Sequence, residues 1–338
     1  MQFENVVICG LAHVDAHERI PSSHFEERIA GTMQRLGLPS TMLRDVAGIE
    51  ARRWWEDGFQ PSQAATLAAE KVISESGIPR EKLGVIVNTS VCRDYIEPST
   101  ASLVHRNLGL GPNCLNFDLG NACLGFLNAM ELVGMMIERG QIDYGLIVDG
   151  EQSRYVQEAT LERIANSEMD LASFRAQFAT LTLGSGGVAM VLTRESLEPK
   201  GHRFVGGVNV AATEHAGLCR GQVNYMETDT RGLLSEGVKL AARTYGLAQD
   251  KLGWVPGCLD HLVLHQVSAV HTRKLCLALG LDPEKALLTF PELGNVGPAS
   301  VPITLSKLAD SGAISAGQRI GLLGIGSGLN CAMGEIVW

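Results

Sequence analysis

One cysteine stands where chemistry is easiest. The run Asn116-Phe117-Asp118-Leu119-Gly120-Asn121-Ala122-Cys123-Leu124-Gly125-Phe126 passes from a strand-like stretch into a helix-like one. Asn121 is expected to cap that helix. Cys123 then falls in the first turn, where free amides and the positive dipole end favour a thiolate. The same amides would hold an oxyanion beside the sulfur. Gly120, Ala122 and Gly125 leave room for a substrate. The competing reading is a buried core cysteine, the commoner fate of any one cysteine.

Two further residues qualify as partners. His265 ends the apolar run Leu262-Val263-Leu264 and precedes Gln266. A histidine at a strand end can face a site, although a lone one is more often structural. Asn295 lies in Gly294-Asn295-Val296-Gly297-Pro298-Ala299-Ser300, a Gly/Pro-framed turn that leads into a helix. Near the end comes Gly324-Ile325-Gly326-Ser327-Gly328-Leu329. It resembles a phosphate loop but has Leu329 where the third glycine belongs, and a strand follows instead of a helix. Such dense glycine predicts backbone pressed against a site, with Gly326, Ser327 and Gly328 as substrate-binding positions.

The elements around these residues alternate between strand and helix, an α/β pattern with buried sheets. Strands are expected at 5–10, 83–88, 114–118, 144–149, 187–193, 203–211, 261–265, 319–324 and 331–337. Helices are expected at about 64–76, 122–138, 170–181, 231–245, 270–279 and 302–311. The rhythm repeats, which suggests two related halves, 1–195 with Cys123 and 196–338 with His265, Asn295 and the glycine loop. Ligands in such sheets bind beyond the carboxyl ends of strands, where all the candidates lie.

Composition narrows the function classes. The 338 residues carry 28 Lys plus Arg against 37 Asp plus Glu, a net charge of −9. With no basic run, that argues against nucleic acid or an anionic membrane surface as partner. No apolar run approaches the ~18 to 20 residues of a membrane helix. The first residues lack a basic leader pattern, so a cytoplasmic location is expected. None of the eight cysteines forms a C-x-x-C pair, so no metal site is expected.

Taken in order, the strand-helix cysteine, His265-Gln266, the Gly-Asn-x-x-x-Ala-Ser-x-Pro loop and the final Gly-x-Gly-x-Gly resemble the thiolase superfamily. The similarity is strongest to its ketoacyl-ACP synthase III-like condensing enzymes and spans essentially the whole chain. Pro98-Ser99-Thr100-Ala101 matches a segment of that branch. The resemblance implies a five-layer αβαβα fold of two pseudo-repeated halves, a homodimer, and a catalytic triad of Cys123, His265 and Asn295. Two positions depart from the decarboxylating members. Ser268 stands in place of Asn in His-Gln-Ala-Asn, and Val296-Gly297 in place of Thr-Ser. Glu97 stands where those members carry an apolar residue, and is similar to the members that join two fatty acyl-CoA molecules head to head. Residues 45–53 and 327–331 resemble the same members.

That resemblance implies non-decarboxylative Claisen condensation of two long-chain acyl-CoAs to a β-keto acid, feeding olefin or β-lactone hydrocarbon synthesis and its downstream enzymes. No cofactor beyond the coenzyme A thioesters is implied. A malonyl-using synthase gains its carbanion by losing CO₂. Two plain acyl-CoAs offer no such carboxyl, so a base must remove an α-proton. Glu97, reaching across the dimer, would be that base, strengthened by desolvation. On its own, Glu97 reads as an acid near a helix start. His265 and Asn295 would hold the enolate oxygen, and the Cys123 amide the first oxyanion. Met130, Met135 and Met136 would line an acyl tunnel or, more simply, pack the core. The alternatives are a decarboxylating 3-oxoacyl-ACP synthase III using malonyl-ACP and a non-catalytic acyl-binding subunit, against which the intact triad argues.

Overall fold

A computed structural model describes residues 1–338. The nine expected strands all form, as β1 (Val6–Asp15), β2 (Leu83–Asn88), β3 (Leu115–Asp118), β4 (Tyr144–Glu151), β5 (Gly186–Arg194), β6 (His202–Ala211), β7 (His261–Leu264), β8 (Arg319–Gly326) and β9 (Asn330–Val337). They join in the order β7-β8-β9-β6-β1-β5-β4-β2-β3. Strands β1 to β5 take the order third, second, fourth, fifth, first. Strands β6 to β9 repeat that order without the third member. In its place stands one parallel bridge, Leu262 to Ala286. Pairing directions repeat as well: β2 runs parallel to β4, and β7 to β8. The two sets meet only through β1 and β6, at Val7 opposite Arg203 and Ile8 opposite His202.

Six helices fill the layers: α1 (Pro61–Ser76), α2 (Thr100–Asn107), α3 (Gly125–Glu138), α4 (Thr230–Leu252), α5 (Ala269–Leu279) and α6 (Ser300–Asp310). Helices α3 and α6 touch strands of both sets and form the middle layer. A helix between two sheets must be apolar on nearly every face. Phe126, Leu127, Ala129, Met130, Val133 and Ile137 of α3 are accordingly buried, as are Val301, Ile303 and Leu305 of α6. Outer helix α1 covers β1, β4 and β5, and α4 covers β6 and β9. The alanines of α1 let it touch sheet backbone: a Cβ at Gly150 would stand 2.1 Å from the Pro61 carbonyl oxygen. This is the thiolase fold, five layers in the order αβαβα, as the resemblance implied. Met130 is buried in the central core and Met135 and Met136 pack against it, so these residues are core.

Several element boundaries move; β1 runs five residues past its expected end, to Asp15. Helix α3 starts at Gly125, not Ala122. Helix α4 runs through Gly246 to Leu252, because Ala248 and Leu252 bury against the sheet, and stops at Gly253 in the left-handed conformation, φ 66°. The expected helix 170–181 is shorter, Leu171–Phe178, with a 3₁₀ turn after it. The helix Arg154–Asn166 and the four-residue hairpin strands at Cys219–Gln222 and Tyr225–Thr228 lie outside the sequence expectation.

Gly145 marks how tightly α3 seats on β4, since a Cβ there would stand 2.3 Å from Val133 Cγ1. Gly145→Ala is expected to cost about 1 to 3 kcal/mol by overpacking, read as a lower urea midpoint with unchanged slope.

Candidate active site

Five strands end at one place. β2, β3, β4, β7 and β8 lead respectively to Thr89, the Cys123 turn, Glu151, His265 and the Gly326 turn. The parallel pairing of β2 with β3 and β4, and of β7 with β8, makes their carboxyl ends adjacent.

Cys123 does not sit inside the helix as expected. It precedes α3, in a turn where Leu124 N–H donates to the Asn121 carbonyl at 2.9 Å and Gly125 N–H to that of Ala122 at 3.2 Å. Ala122 has φ 44° and is the one non-glycine residue with positive φ. Such a conformation costs roughly 1 to 2 kcal/mol. It turns the chain sharply at Cys123. The Asn121 side chain caps nothing: its Nδ2 donates to Asn128 Oδ1 at 2.7 Å. Glycines make the approach possible. A Cβ at Gly125 would stand 2.9 Å from the Thr89 carbonyl oxygen, and one at Gly326 would stand 3.3 Å from the Cys123 nitrogen. The terminal glycine loop therefore presses on Cys123, and Ser327 and Gly328 turn the chain beside it.

The expected thiolate is not the resting state. Burial pushes the Cys123 thiol up to about 12, with Cys219, Glu151 and Asp149 adding to the rise. Cys9 and Cys331 are pushed up to about 12 by burial too. Acidity therefore does not single out Cys123; the strained turn and the glycine wall do.

His265 lies one residue beyond β7, its N–H donating to the Leu323 carbonyl of β8 at 2.8 Å. Three residues further along β8 is Gly326, against Cys123. The imidazole is 3% exposed and its Nδ1 has no partner. Burial, then the neighbouring His271, pushes it down to about 3. It is neutral at pH 7, as is His271, pushed down to about 4 by burial. No hydrogen bond joins it to Cys123. Gln266 holds the loop toward Asn295 by donating to the Leu287 carbonyl at 2.6 Å and accepting from Thr289 N–H at 2.8 Å. Asn295 is tied by its N–H to the Thr182 carbonyl at 2.8 Å and by Oδ1 to Gly297 N–H at 3.0 Å. That leaves its Nδ2 as an unused donor.

Glu97 is exposed and is not brought to Cys123 within the chain. Its structural role near the helix start is already filled. Ser99 caps α2, and Asp118 accepts from Thr100 N–H at 3.0 Å and Ala101 N–H at 2.8 Å. Asp118 thereby anchors the segment after Glu97, and two further contacts anchor it before the projecting tip. Asp94 accepts from Ser62 N–H at 2.9 Å, and Glu151 accepts from Val91 N–H at 2.6 Å and Cys92 N–H at 3.2 Å. Tyr95 and Ile96 project from it, Ile96 being 92% exposed.

Asp149 and Glu151 escaped the sequence reading. The signal was present in Leu146-Ile147-Val148-Asp149-Gly150-Glu151, two acids at period two ending an apolar strand. Both are buried and both are raised by desolvation, Glu151 to about 7.

A thiolase-type condensing enzyme is what this fold and this set of strand ends define. The C-terminal part, residues 249–338, matches the 3-oxoacyl-[acyl-carrier-protein] synthase III C-terminal family. The acyl-CoA:acyl-CoA alkyltransferase of Xanthomonas campestris is 51% identical over 338 residues, all of both chains. That of Shewanella oneidensis is 36% identical over 350 residues, again all of both. The β-ketoacyl-[acyl-carrier-protein] synthase III of Ruegeria pomeroyi is 27% identical, over 98% of each. Cerulenin-bound OleA of Xanthomonas campestris superposes with a TM-score of 0.99 over 100% of this chain and 98% of that one, at 51% identity. An OleA cysteine variant with bound lauric acid and lauroyl-CoA gives 0.98 over 99% and 100%, also at 51% identity. The chain belongs to the acyl-CoA:acyl-CoA alkyltransferase (OleA) family, and it is an acyltransferase.

Two measurements check the electrostatics. Alkylation of Cys123 by iodoacetamide, followed by mass spectrometry, is expected to rise about tenfold per pH unit from 7 to beyond 9; a plateau below pH 8 would refute the protonated thiol. His271 resists in the folded chain a proton that the unfolded chain accepts below about 6.5. Its contribution is complete above that pH and falls by about 1.4 kcal/mol per unit down to about 4. The stability of His271→Asn relative to the parent should therefore improve steadily from pH 6.5 to 4 in urea titrations.

Proposed function

We propose that the protein condenses two long-chain fatty acyl-CoA molecules head to head, without decarboxylation, to a β-keto acid that feeds hydrocarbon synthesis. The observation that carries this reading is Glu97. It is a carboxylate on an anchored, outward tip, with no hydrogen bond of its own, beside a helix whose dipole Asp118 already serves. Full-length likeness to acyl-CoA:acyl-CoA alkyltransferases supports it.

In the first half-reaction Cys123 attacks the thioester carbon of one acyl-CoA. The neutral imidazole of His265 takes the thiol proton and passes it to the departing CoA sulfur. A protonated thiol and a neutral imidazole are the correct starting pair. The Cys123 N–H, with the Gly326–Gly328 turn beside it, stabilises the tetrahedral oxyanion. In the second half-reaction Glu97 of the partner subunit removes an α-proton from the second acyl-CoA. His265 and the Asn295 Nδ2 hold the enolate oxygen, a charge that exists only as the reaction proceeds. The carbanion attacks the acyl-Cys123 carbonyl and the cysteine leaves as thiolate, regaining its proton. Water then releases CoA from the β-ketoacyl thioester. Substrate carbon supplies every electron, so no cofactor is required.

A homodimer completes the site. Strand β3 is a sheet edge with Leu115 54% exposed, and Val91, Tyr95 and Ile96 are exposed near it. An unpaired edge beside an apolar tip suits pairing with a second copy. No helix is long and apolar enough to cross a membrane. We place the enzyme in the cytoplasm, where its eight free cysteines stay reduced.

The test uses purified protein with one long-chain acyl-CoA as sole substrate, with free CoA titrated and products identified by mass spectrometry. Two CoA per β-keto acid, or per ketone formed from it, is expected. Glu97→Gln should keep Cys123 acylation within about twofold and lower condensation at least about 100-fold. Product only on addition of malonyl thioester would assign the chain to the decarboxylating synthases instead.

A further inference from the structure

We propose that Glu151 is a positioning residue for the condensation step, fixing the root of the segment that delivers Glu97. This rests on the base role given to Glu97 above. A carboxylate buried to 5% exposure at a strand end is costly unless it is used. Both oxygens of Glu151 hold the same stretch of backbone. Oε1 accepts from Val91 N–H at 2.6 Å and Oε2 from Cys92 N–H at 3.2 Å. These amides open the segment whose other anchor is Asp94 on Ser62. Beyond the anchors project Tyr95, Ile96 and Glu97. On its far side Glu151 abuts the Asn295 turn, 3.6 Å from where a Cβ on Gly297 would stand. The root of the base-bearing tip is thereby referenced to the turn that bears an enolate donor. In a dimer each Glu151 would set the base that the other subunit uses.

The ionisable groups facing Glu151 are Asp149 on its own strand, Cys92 in the anchored segment and Cys123 at the elbow. No cation faces it. Its negative charge raises the Cys123 thiol, so it hinders acylation while serving condensation. Opposite effects on the two half-reactions separate positioning from mere structural support.

Glu151→Gln keeps the shape but can accept from only one of the two amides. Cys123 acylation by a long-chain acyl-CoA, followed by quenched-flow intact mass, should be equal to or faster than in the parent. Condensation should fall about tenfold or more. The parent's condensation rate should lose amplitude as pH drops below about 7, where Glu151 takes up a proton, and the variant should lack that limb. In a Glu97→Gln background the same substitution should add no further loss in condensation. Glu151→Asp keeps the charge but not the reach, so it should slow condensation without accelerating acylation. A parallel fall of both half-reactions, or an equal loss with and without Glu97, would overturn the inference. If the parent makes no head-to-head product, the base role of Glu97 fails first and this inference with it.

Discussion

The nitrogen of Cys123 lies 3.3 Å from the point where a Cβ on Gly326 would stand, and the site depends on that approach. Any side chain at Gly326 would push the β8–β9 turn away from Cys123. The same turn continues β8, whose Leu323 carbonyl fixes His265, so the wall of the cysteine and the seat of the histidine are one strand. On the opposite side Gly125 lets the Cys123 turn lie against Thr89 at the end of β2. The strain at Ala122 is sustained because glycines on both flanks leave the chain no other path. The repeated strand order accounts for the meeting of these ends: each set places its parallel strands side by side, and the middle helices hold the two sets in register.

Electrostatics in this pocket follow from dryness. With little water, every charge is disfavoured unless paired, so the thiol rises, both histidines fall and both carboxylates rise. The thiol and both imidazoles are uncharged at rest, which suits a thioester, itself neutral. In the reaction proposed above, charge would appear on oxygens beside the Cys123 amide and the imidazole, and a fixed dipole costs no reorganisation at that moment. A preformed thiolate would have required a nearby cation, and none is present. The expected helix-start activation fails for the same reason: α3 begins two residues after Cys123, and burial outweighs what its first turn can offer.

Most strands were legible because they carry a short run of apolar residues, the pattern that a sheet covered on both faces demands; edge strand β3, Leu-Asn-Phe-Asp, alternates instead. Cys123 and His265 were legible as residues that follow strands and Asn295 as part of a Gly/Pro-framed turn, and their order along the chain made the family recognisable. What escaped was set by distance across the fold. Nothing local tells that Asp118 caps α2 from 17 residues away, or that Glu151 grips amides 59 and 60 residues earlier. Gly246 looks like a stop signal until Ala248 and Leu252 are seen to bury against the sheet. The hairpin Cys219–Gln222 with Tyr225–Thr228 is built from four-residue strands, too short for alternation to mark them.

Glu97 shows why one chain is not the whole site. Its segment is held at both ends, yet it faces outward beside a free sheet edge, and Ile96 next to it is almost fully exposed. An anchored segment that displays isoleucine and tyrosine to water gains nothing in isolation, since each buried side chain of that size is worth about 1.5 to 3 kcal/mol. The arrangement makes sense when the edge and tip are covered by a second copy. Under the reading proposed above, the contact that covers Ile96 would also bring Glu97 to the partner subunit's strand ends.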